Sequence, residues 1–268
     1  MRVAAIQMAS GSLVSANLLE AEKLIANAVA DGAELIVLPE NFALIGVKPE
    51  DVAAQCEPSG RGAIQTFLSE QAKLHDIIIA GGSIPLCGDD SAHYRNCLQV
   101  YDRKGDCVAS YDKIHLFDVA LPDRDESYHE SAVIQPGNEV VVVDVDGIKL
   151  GLAICYDLRF PELFRRLLDK GAEVFVLPSA FTLATGRAHW HPLIKARAIE
   201  NLCYMIASAQ GGYHVNGRET YGHSLVCDPW GNVLDEIDSG SGYAIADINL
   251  QQQQTIRERF PVLKHRKL

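Results

Sequence analysis

Short apolar runs closed by turn signals alternate with stretches of helical spacing along this chain, the pattern of strands interleaved with helices. Residues 2–8 read as a buried strand, 16–30 as an amphipathic helix and 34–38 as a second buried strand, with Gly32 as the helix stop between them. This is a β-α-β unit. A helix over 61–74 leads to a strand at 76–82, and strands at 95–102 and 107–112 flank the turn signal Asp102-Arg-Lys-Gly105. Residues 114–138, with Pro122 and Pro136, lack periodicity and predict a long loop, a kind of segment that often holds function in compact domains. Strands at 139–145 and 148–154 form a hairpin across Asp146-Gly147. A helix from Pro161, a strand at 173–177, a helix over 187–201 and a strand at 203–209 follow. Two strands flank Pro229-Trp-Gly-Asn232, and a polar helix spans 249–258, its four consecutive glutamines predicting a surface face.

The apolar pattern also repeats. Gly32-Ala-Glu-Leu-Ile-Val-Leu-Pro-Glu-Asn-Phe-Ala-Leu44 matches Gly171-Ala-Glu-Val-Phe-Val-Leu-Pro-Ser-Ala-Phe-Thr-Leu183 at eight of thirteen positions, and residues 2–8 correspond to 149–155. The chain therefore carries two related β-α-β halves. In a right-handed β-α-β unit the strands are parallel, so their carboxyl ends share one sheet edge, where ligands bind. The first copy has Glu40 where the second has Ser179, and the second has Cys155 where the first has Met8. Halves packed face to face about a pseudo-twofold axis would bring Glu40 and Cys155 together from different sheets.

Cys155 falls where a strand must turn into a helix, a position that exposes one side chain beside free backbone N–H groups. Lys113 closes the strand at 107–112. A thiol is mostly protonated at neutral pH, so a catalytic cysteine needs a base or a cation at hand, and Glu40 and Lys113 are the candidates.

Composition narrows the alternatives. The chain has 268 residues, 48% of them hydrophobic, enough for a large core in one or two domains. Its net charge of −11 opposes nucleic acid and anionic membranes as partners, and the basic cluster Lys264-His-Arg-Lys267 reads as a solvated tail. No apolar run is long enough for a membrane span, and the start does not resemble a secretory signal, so a cytoplasmic location is expected. Seven cysteines without a C-x-x-C suggest neither a disulfide framework nor a zinc site. His189-Trp-His191 has no ligand-type residue at metal spacing nearby, so no metal is expected there. Walker A, G-x-G-x-x-G and G-x-S-x-G patterns are absent, which argues against nucleotide cofactors and a serine triad.

Leu38-Pro-Glu-Asn-Phe42, Tyr111-Asp-Lys-Ile-His-Leu-Phe117 and Gly151-Leu-Ala-Ile-Cys-Tyr-Asp-Leu-Arg-Phe-Pro-Glu162 resemble, in order, the glutamate, lysine and cysteine motifs of the nitrilase superfamily of carbon–nitrogen hydrolases. The resemblance covers essentially the whole chain. It implies one α/β domain over 1–268, a four-layer α-β-β-α sandwich with pseudo-twofold related halves, and a Glu40-Lys113-Cys155 triad. A second glutamate, Glu130, would orient Lys113 or the substrate and water. The implied activity is hydrolysis of a small-molecule amide through a thioester intermediate, with the Tyr156 N–H beside Lys113 at the oxyanion and no cofactor. A homodimer or higher homo-oligomer is also implied.

Ser179-Ala-Phe-Thr-Leu-Ala-Thr-Gly-Arg-Ala-His-Trp190, Ala207-Ser-Ala-Gln-Gly-Gly-Tyr-His214, Tyr221-Gly-His-Ser224 and Asp228-Pro-Trp-Gly231 look most like the branch that hydrolyses deaminated glutathione to 2-oxoglutarate and cysteinylglycine, a metabolite-repair activity. The ω-amidase branch, acting on 2-oxoglutaramate, shares the Thr-Gly-x-Ala-His-Trp stretch and stays open as an alternative. A nitrilase or a non-catalytic interaction module fits less well. Phe181 and Thr182 are candidates for the pocket wall. Arg159 is a candidate partner for a substrate carboxylate, with a structural ion pair as the alternative.

Overall fold

The two halves repeat their helix stops and parallel strand pairs in backbone geometry as in sequence. The computed structural model describes residues 1–90, 93–120 and 127–267. Its first half runs β1 (Arg2–Met8), α1 (Val14–Ala30), β2 (Leu35–Val37), α2 (Pro49–Ala53), α3 (Ala63–His75), β3 (Ile78–Ala80), β4 (Ile84–Cys87), β5 (Tyr94–Tyr101) and β6 (Cys107–Asp112). A short ribbon of β7 (Asp118–Ala120) and β8 (Ser127–His129) follows. The second half runs β9 (Val142–Val145), β10 (Ile148–Leu152), α4 (Pro161–Asp169), β11 (Val174–Ser179), α5 (Leu183–Asn201), β12 (Tyr204–Tyr213), β13 (Glu219–Tyr221), β14 (Ser224–Cys227) and β15 (Val233–Ile237). β16 (Gly242–Asp247) returns to pair with β1, and α6 (Leu250–Arg259) comes last.

The parallel register of β1 on β2 sets Val3 opposite Leu35, and that of β10 on β11 sets Leu150 opposite Val174, the same positions of the two copies. Gly32 and Gly171 end the preceding helices at φ of 91° and 93°, a left-handed conformation that suits glycine. Glu34 and Glu173 each accept a hydrogen bond from the backbone N–H of the strand before, Arg2 at 3.0 Å and Lys149 at 3.1 Å. The duplication extends beyond the matched segments. Asp76 and Leu202 both cap their helices at positive φ, and the strand after each cap begins with an N–H donated to the backbone oxygen of Glu34 or Glu173.

Alternation within the strands builds the layers. Ala4, Ile6 and Met8 of β1 share a core with Ile25 of α1 and Leu68 of α3, whereas Val3 and Ala5 share the other core with Leu152 and Val176 of the second half. On the far side of the second sheet, Phe164 of α4 meets Phe175 of β11 edge to face at 5.1 Å. The order is therefore helix, sheet, sheet, helix. The first sheet runs β6-β5-β3-β2-β1-β16 and the second β9-β10-β11-β12-β14-β15. β1 and β12 also pair at their carboxyl ends, Gln7 with Ala209 and Met8 with Gln210, which stitches the two sheets together beside the site.

The predicted elements fall in place with ends moved by a few residues, and three departures stand out. The 114–138 segment is not structureless: it holds the β7–β8 ribbon and a 3-10 turn at Glu130–Ala132, too short and too exposed to leave a burial pattern. Pro122 lies outside the described residues. α2, β4, β13 and β16 are not among the predicted elements. Gln253, one of the four glutamines read as a surface face, is buried and donates to the backbone oxygens of Glu173 and Leu202 at 2.7 and 3.0 Å.

Gly186 sets how closely α5 approaches β13, because a Cβ there would lie 2.3 Å from atoms of Tyr221. Ala favours a helix interior by about 1 kcal/mol over Gly. Overpacking a tight contact costs about 1–3 kcal/mol, and here it should dominate. Gly186→Ala is expected to lower the urea midpoint; a raised midpoint would contradict the close approach.

Candidate active site

Lys113, at the end of β6, is fully buried and sits between two carboxylates. Its Nζ donates to Glu40 Oε1 at 2.9 Å and to Glu130 Oε1 and Oε2 at 3.0 and 2.8 Å. Glu40, 2% exposed, follows β2, and its Oε1 also accepts from Asn96 Nδ2 of β5 at 3.0 Å. Gln210 Nε2 of β12 holds the Glu40 backbone oxygen at 3.0 Å. Glu130, in the 3-10 turn after the ribbon, accepts from the Phe117 N–H at 2.8 Å.

Cys155 stands just past β10 at φ 47°, in the left-handed region, and opens a 3-10 helix over Cys155–Arg159. A non-glycine residue in that region is uncommon, and such strain tends to collect at functional sites. The turn leaves the Tyr156 N–H in the first helical turn, where backbone donors lack helical partners. The Ala180 N–H points at Cys155 Sγ from 3.5 Å, and the Glu40 charge acts on the thiol. Asp157, fully buried, braces this elbow. Its Oδ2 accepts from Ile154 N–H at 2.9 Å and Tyr111 Oη at 2.7 Å, and its Oδ1 accepts from His115 N–H at 3.1 Å. One carboxylate thus fixes the cysteine turn to both flanks of Lys113.

Electrostatics sets the protonation states. Burial alone would raise the Glu40 carboxyl, but the Lys113 ammonium outweighs it and holds Glu40 below its ordinary value of 4.5. Burial opposes the charge on Lys113, yet Glu130 and Glu40 keep its pKa well above 10.5. Burial and the Glu40 charge push the Cys155 thiol well above 9. The resting site holds a carboxylate hydrogen-bonded to an ammonium, with a protonated thiol under the influence of both charges.

A pocket of about 260 Å³ opens over Cys155. Of the residues singled out in the sequence, Glu130, Cys155, Tyr156, Arg159, Phe181 and Thr182 line it, while Glu40 and Lys113 are buried and absent from the lining. Thr182 is also the N-cap of α5, its hydroxyl accepting from Thr185 N–H at 3.3 Å. Arg159 finds no carboxylate among the described residues. It lies over the rings of Phe181 at 5.2 Å and Tyr156 at 5.7 Å and touches His189 Nδ1 at 3.1 Å, so the structural ion pair is not seen.

Phe117 and Arg218 in the lining, and Asn96, Asp157 and Gln210 behind it, were not singled out. Asp157 left a signal, an acid two residues from the nucleophile candidate; Asn96 left little, since β5 also carries Arg95 and Gln99. Arg218 left none.

One cluster among the described residues has metal-ligand types: His191, His223 and Glu236, with ligand atoms within 4.8 Å of one another. The carboxylate that the sequence around His191 lacked is brought there by β15. Glu236 Oε1 lies 2.8 Å from His191 Nε2 and 2.6 Å from His223 Nδ1, joining α5 to the turn before β14. None of the three lines the pocket.

This arrangement of base, cation and thiol can perform acyl transfer, and the sequence agrees: the family described as carbon-nitrogen hydrolase matches residues 2–258. The chain belongs to that family. It is a hydrolase of carbon–nitrogen amide bonds. A relative from Synechocystis sp. (strain PCC 6803 / GT-S), named deaminated glutathione amidase, is 44% identical over 98% of this chain and 97% of its own. The solved NitFhit protein of C. elegans superposes with a TM-score of 0.89 at 37% identity, covering 99% of this chain and 65% of that longer one. A solved amidase from Nesterenkonia sp. AN1, at 27% identity and a TM-score of 0.79, covers 97% of this hydrolase and 98% of its own chain; it carries acrylamide added at its active-site cysteine.

The raised thiol pKa makes a prediction for the free hydrolase. Alkylation of Cys155 by iodoacetamide, followed by peptide mass spectrometry, should still accelerate between pH 8 and 10. A rate that levels off near pH 7 would mean a resting thiolate and contradict the charge balance described here.

Proposed function

We propose that this hydrolase is a cysteine-dependent amidase that cleaves deaminated glutathione to 2-oxoglutarate and cysteinylglycine through a thioester on Cys155. The observation that carries the chemistry is the hydrogen-bonded pair of Glu40 and Lys113 beneath a pocket that Cys155 lines, with the Glu40 charge acting on the thiol. The substrate rests on the relative from Synechocystis at 44% identity.

Glu40, ionised at rest, takes the Cys155 proton as Sγ attacks the amide carbonyl. The oxyanion forms next to the Lys113 ammonium and the Tyr156 N–H, and one such donor is worth about 3–4 kcal/mol in the transition state. The proton on Glu40 passes to the leaving nitrogen, the carbon–nitrogen bond breaks, and cysteinylglycine departs with its amine restored. Water then gives a proton to Glu40 and its oxygen to the thioester carbonyl. The thiolate leaves, regains the proton, and 2-oxoglutarate is released.

Glu130 acts as a positioning residue: both its oxygens hold Lys113, and the Phe117 N–H holds Glu130 in turn. Arg159, charged and without a carboxylate partner among the described residues, suits the carboxylate of the acyl half, with Phe181 as the wall beneath it. Thr182, through its cap, fixes the start of α5 along the same wall.

A slowly hydrolysed amide is expected to leave acyl mass on the peptide holding Cys155; no adduct and no turnover across a broad amide panel would defeat the enzyme mechanism. Lys113→Ala should lower kcat by about 10²–10³ through lost oxyanion stabilisation. It should also destabilise the fold by about 3–5 kcal/mol, since the buried Glu40 carboxylate loses its counter-ion and the partly buried Glu130 loses its partner.

Because the Glu40 pKa is depressed, its base form persists on acidification, and kcat/KM should stay level from pH 7 down to pH 5. A midpoint near pH 6 in that profile would remove Glu40 as an ionised base. For the substrate, faster 2-oxoglutarate release from 2-oxoglutaramate than from deaminated glutathione would favour the ω-amidase alternative.

A further inference from the structure

The pocket over Cys155 meets a larger cleft of about 1380 Å³, and only Glu130 and Arg218 line both. Glu130 is committed to Lys113 and the Phe117 N–H. Arg218 is not. It comes from the turn before β13, half-buried, with Nη2 donating to the Ala180 backbone oxygen and the guanidinium over the Tyr128 ring at 5.2 Å. Its Nε is buried without a hydrogen-bond partner, and no carboxylate pairs with it among the described residues. In a chain with 35 acidic side chains, an arginine left unpaired at a cavity junction is a cation open to an outside anion.

We propose that Arg218 and the cleft beside it form a leaving-group subsite that binds a carboxylate on the amine half of the substrate. The inference rests on the amidase reaction proposed above and adds to it a direction. The acyl half, bonded to Cys155 Sγ, occupies the small pocket that contains Arg159, so the leaving nitrogen points out of that pocket across Arg218 into the cleft. Ammonia would need no such space. A dipeptide amine ending in a carboxylate would use it, with Ser127, His129 and Asn216 of the cleft lining as polar neighbours for its backbone. Two arginines without acidic partners among the described residues, one at each end of the reacting bond, match an amide that carries a carboxylate on both halves.

Arg218 also holds Ala180, whose N–H meets Cys155, so a simple loss of activity on mutation would not separate binding from positioning. The test therefore compares two substrates: the amide of 2-oxoglutarate with cysteinylglycine, and the same amide with its glycine carboxylate capped as a carboxamide. The wild-type kcat/KM should drop by about 10–100-fold on capping, the range of a charge-assisted hydrogen bond. In Arg218→Gln the ratio of the two substrates should fall close to one, and Arg218→Lys should keep part of it. This ratio cancels any damage common to both substrates, and the wild-type comparison requires no variant to fold.

Equal wild-type rates on the two substrates, or a full ratio surviving in Arg218→Gln, would overturn the subsite while leaving the amidase assignment intact. Much faster 2-oxoglutarate release from 2-oxoglutaramate than from either dipeptide amide would overturn the substrate assignment, and the subsite with it.

Discussion

One ammonium buried between two carboxylates constrains everything around it. Lys113 has no water to solvate it and no retreat to the surface, so its charge depends on Glu40 and Glu130 standing within 3.0 Å. The same requirement runs in reverse for Glu40, which stays ionised in a dry site because the ammonium is there. A base that keeps its charge at the floor of a pocket, beside a thiol that keeps its proton, is poised to move that proton when a carbonyl arrives. The charge balance is what makes the site a hydrolase and also what its fold must protect.

Three separate parts of the chain supply the trio, and the duplicated architecture makes their meeting possible. Each half ends its parallel strands at the same edge, and the pairing of Gln7–Met8 with Ala209–Gln210 joins those edges. Gln210 then reaches the backbone of Glu40, and the Ala180 N–H reaches Cys155, so each half holds the functional residue of the other or of itself through main-chain contacts. Asp157 completes the frame by tying Ile154, next to the nucleophile, to Tyr111 and His115 on either side of Lys113. A buried carboxylate satisfied by several donors is a rigid joint, because losing any one of them leaves polar groups stranded away from water.

Much of this was legible in the chain, because strand and helix periods and the glycine stops are local. The duplicated Gly-Ala-Glu segments announced two equivalent strand ends, and Glu40 and Cys155 stood at corresponding ones. What escaped were features set by partners distant in sequence. β16 pairs along nearly all of β1 across more than two hundred residues, and the β7–β8 ribbon has an exposed surface with no burial pattern to read. Gln253 looked like surface because its neighbours are polar; its role as a donor to Glu173 and Leu202 depends on where α6 docks.

The sequence by itself determined the chemistry available: which side chains could be base, cation and nucleophile, and that two related α/β halves would present them at strand ends. Only the tertiary structure decided their charge states, since these follow from burial and from neighbours tens of residues away, such as Glu40 against Lys113. It also decided which arginines face the cavities without an acid beside them among the described residues. Arg218 carries no local mark because an unpaired charge is a property of its surroundings, and those exist only once the chain has closed around Cys155.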